Sequence, residues 1–256
     1  MLIDSHAHIY DEEYGDGGKA IIESMMGDGL EYIVSVGCDI PSSCTCVELA
    51  NANPSVFAAV GVHPYDADTV TPENIGVLRK LAENKKAVAI GEIGLDFHRP
   101  GLDPDRDCQI NAMIAQYNLA RELHKPMVFH IRDGYGEFME FAKGREFPES
   151  GILHCFSSSA EVAEFCVKKG LYVSFSGTLT YKNAVNLVRA AAAVPLDKLL
   201  VETDSPYLTP EPFRGRTNYP KYVKYVCARL AEIKGLPVEQ MQEITVANTK
   251  RVFNLD

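Results

Sequence analysis

The chain has 256 residues, 46% of them hydrophobic and 23% charged, an ordinary globular composition expected to form one domain over residues 1–256. A formal charge of −10 excludes a broad basic surface for gripping duplex nucleic acid, yet leaves room for a local phosphate site in which cations supply the positive charge. No apolar run is long enough to span a bilayer, no signal-peptide pattern opens the chain, and seven cysteines without a regular framework read as reduced thiols, so the expected setting is cytoplasmic and away from membranes.

The first apolar run, LIDSHAHI, carries His6 and His8. Strand side chains alternate faces, so these two imidazoles share one face, either as a metal clamp or as two half-buried histidines. YIVSVG follows, and then a segment holding Cys44 and Cys46, which lack the two-residue spacer of a redox or zinc pair. VFAAVGVH ends in His63, and AVAIGEIGLD contains Glu92 and Asp96. Residues 105–125 place Ile110, Met113, Ile114, Tyr117 and Ala120 at helical spacing. PMVFHIR ends in His130 and Arg132, GILHCF contains His154, LYVSFSG carries no such residue, and LLVETDS ends in Glu202 and Asp204.

Eight short apolar runs with helical patterns between them predict a parallel sheet. Eight units in about 250 residues match an α/β fold of the (β/α)₈ TIM-barrel kind. A doubly wound open sheet is the alternative, but His-Ala-His stands where its Gly-rich turn belongs. Six of the eight runs end in a histidine or a carboxylate, and in a barrel those ends form one ring, the face on which active sites of this fold are built. Each such residue has a structural explanation of its own, as a core histidine or a helix cap. A shared cation accounts for all of them together. His124 reads as a cation at a helix end, and His98 as either a substrate contact or a surface residue.

The ordered segments DSHAH, GVHP, GEIGLD, FHIRD, HCFS, TDSPYL, RGRTNYP and ANTKRVF span nearly the whole chain and resemble the TatD family of metal-dependent hydrolases. The resemblance implies two divalent ions (Mg²⁺, Mn²⁺ or Zn²⁺) at the barrel mouth. His6, His8, Glu92 and Asp204 would surround the deeper ion and Glu92, His130 and His154 the outer one, with Glu92 bridging. Glu92 and Asp204 are the expected catalytic carboxylates, Asp204 orienting a water or taking its proton. The chain departs from the family pattern at Ser158, Ile131 and Gly134, none of them an expected ligand.

The resemblance also implies cleavage of DNA phosphodiesters, as an endonuclease or a 3′–5′ exonuclease, with single-stranded ends the expected partner and the chain a monomer or weak oligomer. His63, Asp96, Arg132, Arg214, Arg216 and Lys221 are the expected substrate contacts, joined by Arg99 in a mouth loop and by Tyr207, Phe213 and Tyr219 as stacking surfaces. For the basic residues after the eighth run, a solvated helix start is the competing reading. The same ion pair also serves an amide or ester hydrolase, such as a D-aminoacyl-tRNA deacylase, and a metal-binding barrel without catalysis is the third alternative.

Overall fold

The structure, a computed structural model, describes residues 1–98 and 104–255. Its frame is an eight-stranded parallel sheet in chain order: β1 (Leu2–Ala7), β2 (Leu30–Val36), β3 (Val56–Val60), β4 (Ala87–Asp96), β5 (Met127–Arg132), β6 (Gly151–Leu153), β7 (Tyr172–Phe175) and β8 (Leu199–Val201). The exit of β8 returns to β1 through a parallel bridge between Ala7 and Ser205, with the His8 amide donating to the Ser205 carbonyl at 2.8 Å. This is the expected (β/α)₈ barrel, and the eight runs are its strands.

Helices separate the strands, with α1 (Lys19–Ser24) after β1 and α5 (Tyr135–Lys143), α6 (Ala160–Lys168), α7 (Val185–Ala193) and α8 (Val223–Lys234) after β5 to β8 in turn, and the starts of those between follow local chemistry. Asp39 caps α2 (Ile40–Ala52) by accepting from the Ser42 amide, Thr71 caps α3 (Pro72–Ala82) ahead of a first-turn proline, and Asp105 caps α4 (Arg106–Glu122) from the Cys108 amide. Among the described residues no helix is long and apolar enough to cross a membrane.

The period-two alternation of the strands positions the site. Val128, Ile152 and Leu200 point into the barrel and pack with Val34 and Ala59, and two residues further on stand His130, still in β5, and His154 and Glu202, each just past the end of its strand. The floor beneath them is closed by the last helix, α9 (Val238–Phe253), whose Val252 and Phe253, with Leu255, join that inner cluster. Neighbouring strands approach closely near the site. Gly94 has φ +147°, and a Cβ there would lie 1.9 Å from the His130 carbonyl oxygen, so only glycine lets β5 bring His130 this near to Glu92.

Candidate metal centre

At the C-terminal ends of the strands, imidazole and carboxylate atoms converge. His6 Nε2 and His8 Nε2 are 3.2 Å apart. Asp204 Oδ1 lies 3.6 and 3.4 Å from these two nitrogens, and Glu92 Oε2 lies 3.5 and 3.8 Å from them. The other Glu92 oxygen, Oε1, is 2.7 Å from both His130 Nδ1 and His154 Nε2, which are themselves 3.0 Å apart. Glu92 thus divides its two oxygens between two imidazole pairs. Asp204 adopts a left-handed backbone, φ 57°, immediately before the bridge to β1. Asp4 supports that turn by accepting from the Thr203 amide at 2.9 Å and from the His6 amide at 3.3 Å.

Behind the inward nitrogens stands a set of acceptors. His8 Nδ1 donates to the Val36 carbonyl at 2.8 Å, His130 Nε2 to Asp96 Oδ2 at 2.9 Å, and His154 Nδ1 to Glu202 Oε1 at 3.2 Å. With the proton held on the outer nitrogen, the inner nitrogen presents a lone pair, which is how metal-ligating histidines are oriented.

Electrostatics agree with this arrangement. Burial pushes the Glu92 carboxyl up, but His154 and His6 beside it, with hydrogen bonds from His130 and His154, hold it well below its ordinary value. Asp204 is likewise lowered against burial by His8, His154 and His6. Burial opposes charge on His154, yet Glu92 and Glu202 on either side raise its pKa well above the ordinary one. Buried carboxylates therefore draw positive charge into this space, and hard-to-intermediate divalent cations, which take the place of protons on imidazole nitrogens, fit that donor set.

The remaining expected residues divide. His63 is close to the cluster, its Nε2 3.9 Å from Glu92 Oε1 and its ring centroid 4.4 Å from that of His130. Its Nδ1 accepts from the Tyr65 amide at 3.1 Å, so the neutral ring carries its proton on Nε2. Burial, aided by His130, pushes His63 down to about 3. Asp96 is buried and bound to His130 and to the His98 amide, which hold its carboxyl down at about 2 against burial. Its nearest business is thus with His130. A cavity of about 530 Å³ opens over the cluster, lined by His63, Arg132, Cys155, Thr178, Asp204 and Tyr207 among others.

The segment after β8 does not act as a unit. Arg214 lies with its guanidinium 4.2 Å over the Tyr181 ring, and Arg216 is exposed in the same turn. Lys221 is not brought to the mouth. Its Nζ is 3.9 Å from Asp28, in the turn leading into the N-terminal end of β2 at the opposite rim. Phe213 stacks on Tyr222 with centroids 4.6 Å apart, and Tyr219 packs against Tyr14 at 5.5 Å, so of the three aromatics only half-exposed Tyr207 lines the cavity. Arg99 lies outside the described residues. His98 pairs with Asp133 at 2.9 Å on the surface, and His124, just past α4, with Glu149 at 3.1 Å. Glu202, which the sequence places only in the general ring of strand-end residues and not in the ligand set, is fully buried beside His154. Its spacing two residues before Asp204, the same alternation that pairs His6 with His8, was the available signal.

A parallel barrel with histidines and carboxylates converging at its C-terminal mouth is the architecture of a metal-dependent hydrolase. The chain belongs to the TatD family: the family described as TatD related DNase matches residues 3–254. It is similar to the metal-dependent hydrolase YabD of Bacillus subtilis, 40% identical over 100% of both chains, and to TatD of Salmonella typhimurium, a 3′-5′ ssDNA/RNA exonuclease, 29% identical over 99% of each. The crystal structure of YJJV, a TatD homologue from Escherichia coli K12, superposes with a TM-score of 0.93 at 28% identity, covering 100% of this chain and 98% of that one.

Proposed function

We propose that the chain is a deoxyribonuclease that cleaves phosphodiester bonds at single-stranded ends with two divalent cations, one held by His6, His8, Glu92 and Asp204 and the other by Glu92, His130 and His154. The observation that carries this reading is the division of Glu92, with Oε2 facing the His6–His8 pair and Oε1 the His130–His154 pair. One carboxylate can serve two cations in this way, and two-metal sites suit in-line displacement at phosphorus. The exonuclease activity named for the Salmonella relative supports the substrate class.

When bound, the cations lower the pKa of a water and stabilise charge on the phosphoryl oxygens. Asp204, kept ionised by His8, His154 and His6 despite burial, reaches the cavity wall and takes the proton of the attacking water; as the water oxygen bonds to phosphorus, the P–O ester bond to the terminal nucleotide breaks and Asp204 returns that proton to the leaving oxygen. His63 donates from Nε2 to a non-bridging oxygen of the scissile phosphate. Arg132, exposed at the rim, offers its fork to the neighbouring phosphate, and the Tyr207 ring stacks on a base. Asp96 orients His130 from behind. A recessed cluster in an acidic barrel favours a strand end over the flank of a duplex.

The test is to strip the protein with a chelator, restore it with Mg²⁺, Mn²⁺ or Zn²⁺, and assay end-labelled single-stranded DNA beside duplex DNA, a panel of amides and esters, and D-aminoacyl-tRNA. Hydrolysis of single-stranded DNA should vanish on chelation and return with metal. Full activity in the stripped protein would overturn the proposal, and turnover confined to the amides or the aminoacyl-tRNA would move it to acyl hydrolysis.

A further inference from the structure

An imidazole that turns one nitrogen to a cation as a lone pair carries its proton on the other, and a buried N–H needs an acceptor. Three of the four histidines meet this requirement visibly: His8 with the Val36 carbonyl, His130 with Asp96, and His154 with Glu202 Oε1. For His6 the Nδ1 atom is buried without a hydrogen-bond partner. On the other side of the ledger, Glu202 Oε2 is buried and equally without one. The two needs are complementary, a donor without an acceptor and an acceptor without a donor.

They also lie close together. The His6 and His154 rings are stacked, centroids 4.0 Å apart and planes at 14°, with both Nε2 atoms turned toward Glu92. One ligand atom each of His6, His154 and Glu202 falls within 4.8 Å of the other two. Glu202 is fully buried, and its Oε1 is already engaged by the Cys155 amide at 2.6 Å as well as by His154. A buried carboxylate with one oxygen unengaged is costly, and a donor on Oε2 removes that cost.

We propose that Glu202 is a positioning residue serving both stacked imidazoles, accepting the His154 Nδ1–H directly on Oε1 and the His6 Nδ1–H through one bridging water on Oε2, so that both Nε2 lone pairs face the cluster. The inference rests on the reading of His6 and His154 as metal ligands. One buried carboxylate just past β8 then sets the tautomer of a ligand for each of the two cations, one from β1 and one from just past β6.

The experiment uses full-length protein loaded with Zn²⁺ and labelled with ¹⁵N-histidine, in wild-type, Glu202→Gln and Glu202→Asp forms. It records long-range ¹H–¹⁵N spectra, exchange of the Nδ1 protons, and Zn²⁺ affinity by competition with a chelating dye. In the wild type, His6 and His154 should both show Nδ1 protons protected from solvent. Glu202→Gln replaces the Oε2 acceptor by an N–H donor, so the His6 Nδ1 proton should lose its protection while that of His154, still facing an amide oxygen, remains. Zn²⁺ affinity should fall by about 10–100-fold, the usual effect of removing an outer partner, and Glu202→Asp should recover part of it. An unprotected or absent His6 Nδ1 proton in the wild type would overturn the proposal, and that measurement stands even where the variants fail to fold. Wild-type Zn²⁺ affinity in folded Glu202→Gln would overturn it too. Failure of the ligand reading has a different signature, in which Zn²⁺ leaves the Nε2 resonances of His6 and His154 unmoved, and this would remove both readings together.

Discussion

Replacing His63 with alanine separates two roles that proximity alone would confuse. His63, Glu92 and His130 lie close enough together to hold an ion, so distance makes His63 a further candidate ligand. Its hydrogen bonding argues otherwise. The Tyr65 amide occupies Nδ1 at 3.1 Å, which leaves Nε2 as the protonated nitrogen, and a protonated nitrogen has no lone pair for a cation. Nε2 is 3.9 Å from Glu92 Oε1, too far for a hydrogen bond, so that proton is free to meet a substrate oxygen in the cavity. Burial and His130 push the ring down to about 3, so it is neutral throughout the working range and its donor role needs no protonation. Removing one such donor to a developing oxyanion costs about 10²–10³-fold in kcat, or ~2.7–4 kcal/mol. His63→Ala should therefore lose that much kcat on single-stranded DNA while keeping the wild-type metal count by elemental analysis. The wild-type pH–rate profile should show no inflection from His63 between about pH 5 and 9, since its titration lies far below the ordinary histidine value of about 6.5. Loss of a metal equivalent in His63→Ala, or an unchanged kcat, would refute the reasoning.

Glu92→Gln keeps the shape of the bridging side chain but removes its charge, so metal content should fall below the wild-type value and activity should drop by more than the about 10–100-fold that loss of an outer partner produces, with thermal unfolding still cooperative; wild-type metal content by elemental analysis would count against bridging. Arg132→Ala should raise KM on single-stranded DNA and reduce the salt slope of binding by about 0.7, one phosphate contact on a single strand, whereas Lys221→Ala, at the far rim beside Asp28, should change neither in a salt titration. Phe253→Ala, at the barrel floor with Phe253 only 3% exposed, should destabilise the protein by about 3–5 kcal/mol in urea unfolding without altering metal stoichiometry.

The barrel and the cluster were both legible in the sequence, because both follow from short-range rules. Alternation within a strand puts His6 with His8 on one face, and the repeated spacing of apolar runs and helical stretches dictates a parallel sheet whose C-terminal ends meet. Those rules act over a few residues and survive folding unchanged. The positions of Asp96, Glu202 and Lys221 were decided differently. Asp96 ends β4 and reads as a mouth residue, but β5 passes alongside through the space left by Gly94, and His130 claims the carboxylate. Glu202 acquires its neighbours only when β6 and β1 bring His154 and His6 to either side of β8. Lys221 follows a basic stretch that reads as continuous, yet the path from β8 into α8 (Val223–Lys234) carries it to the turn before β2, while Arg214, a few residues earlier, lies over Tyr181. Which side chains point inward is settled by the geometry of a single strand. What each then touches depends on which strand or loop packs beside it, and those contacts join residues far apart in the chain that exist as neighbours only after the barrel has formed.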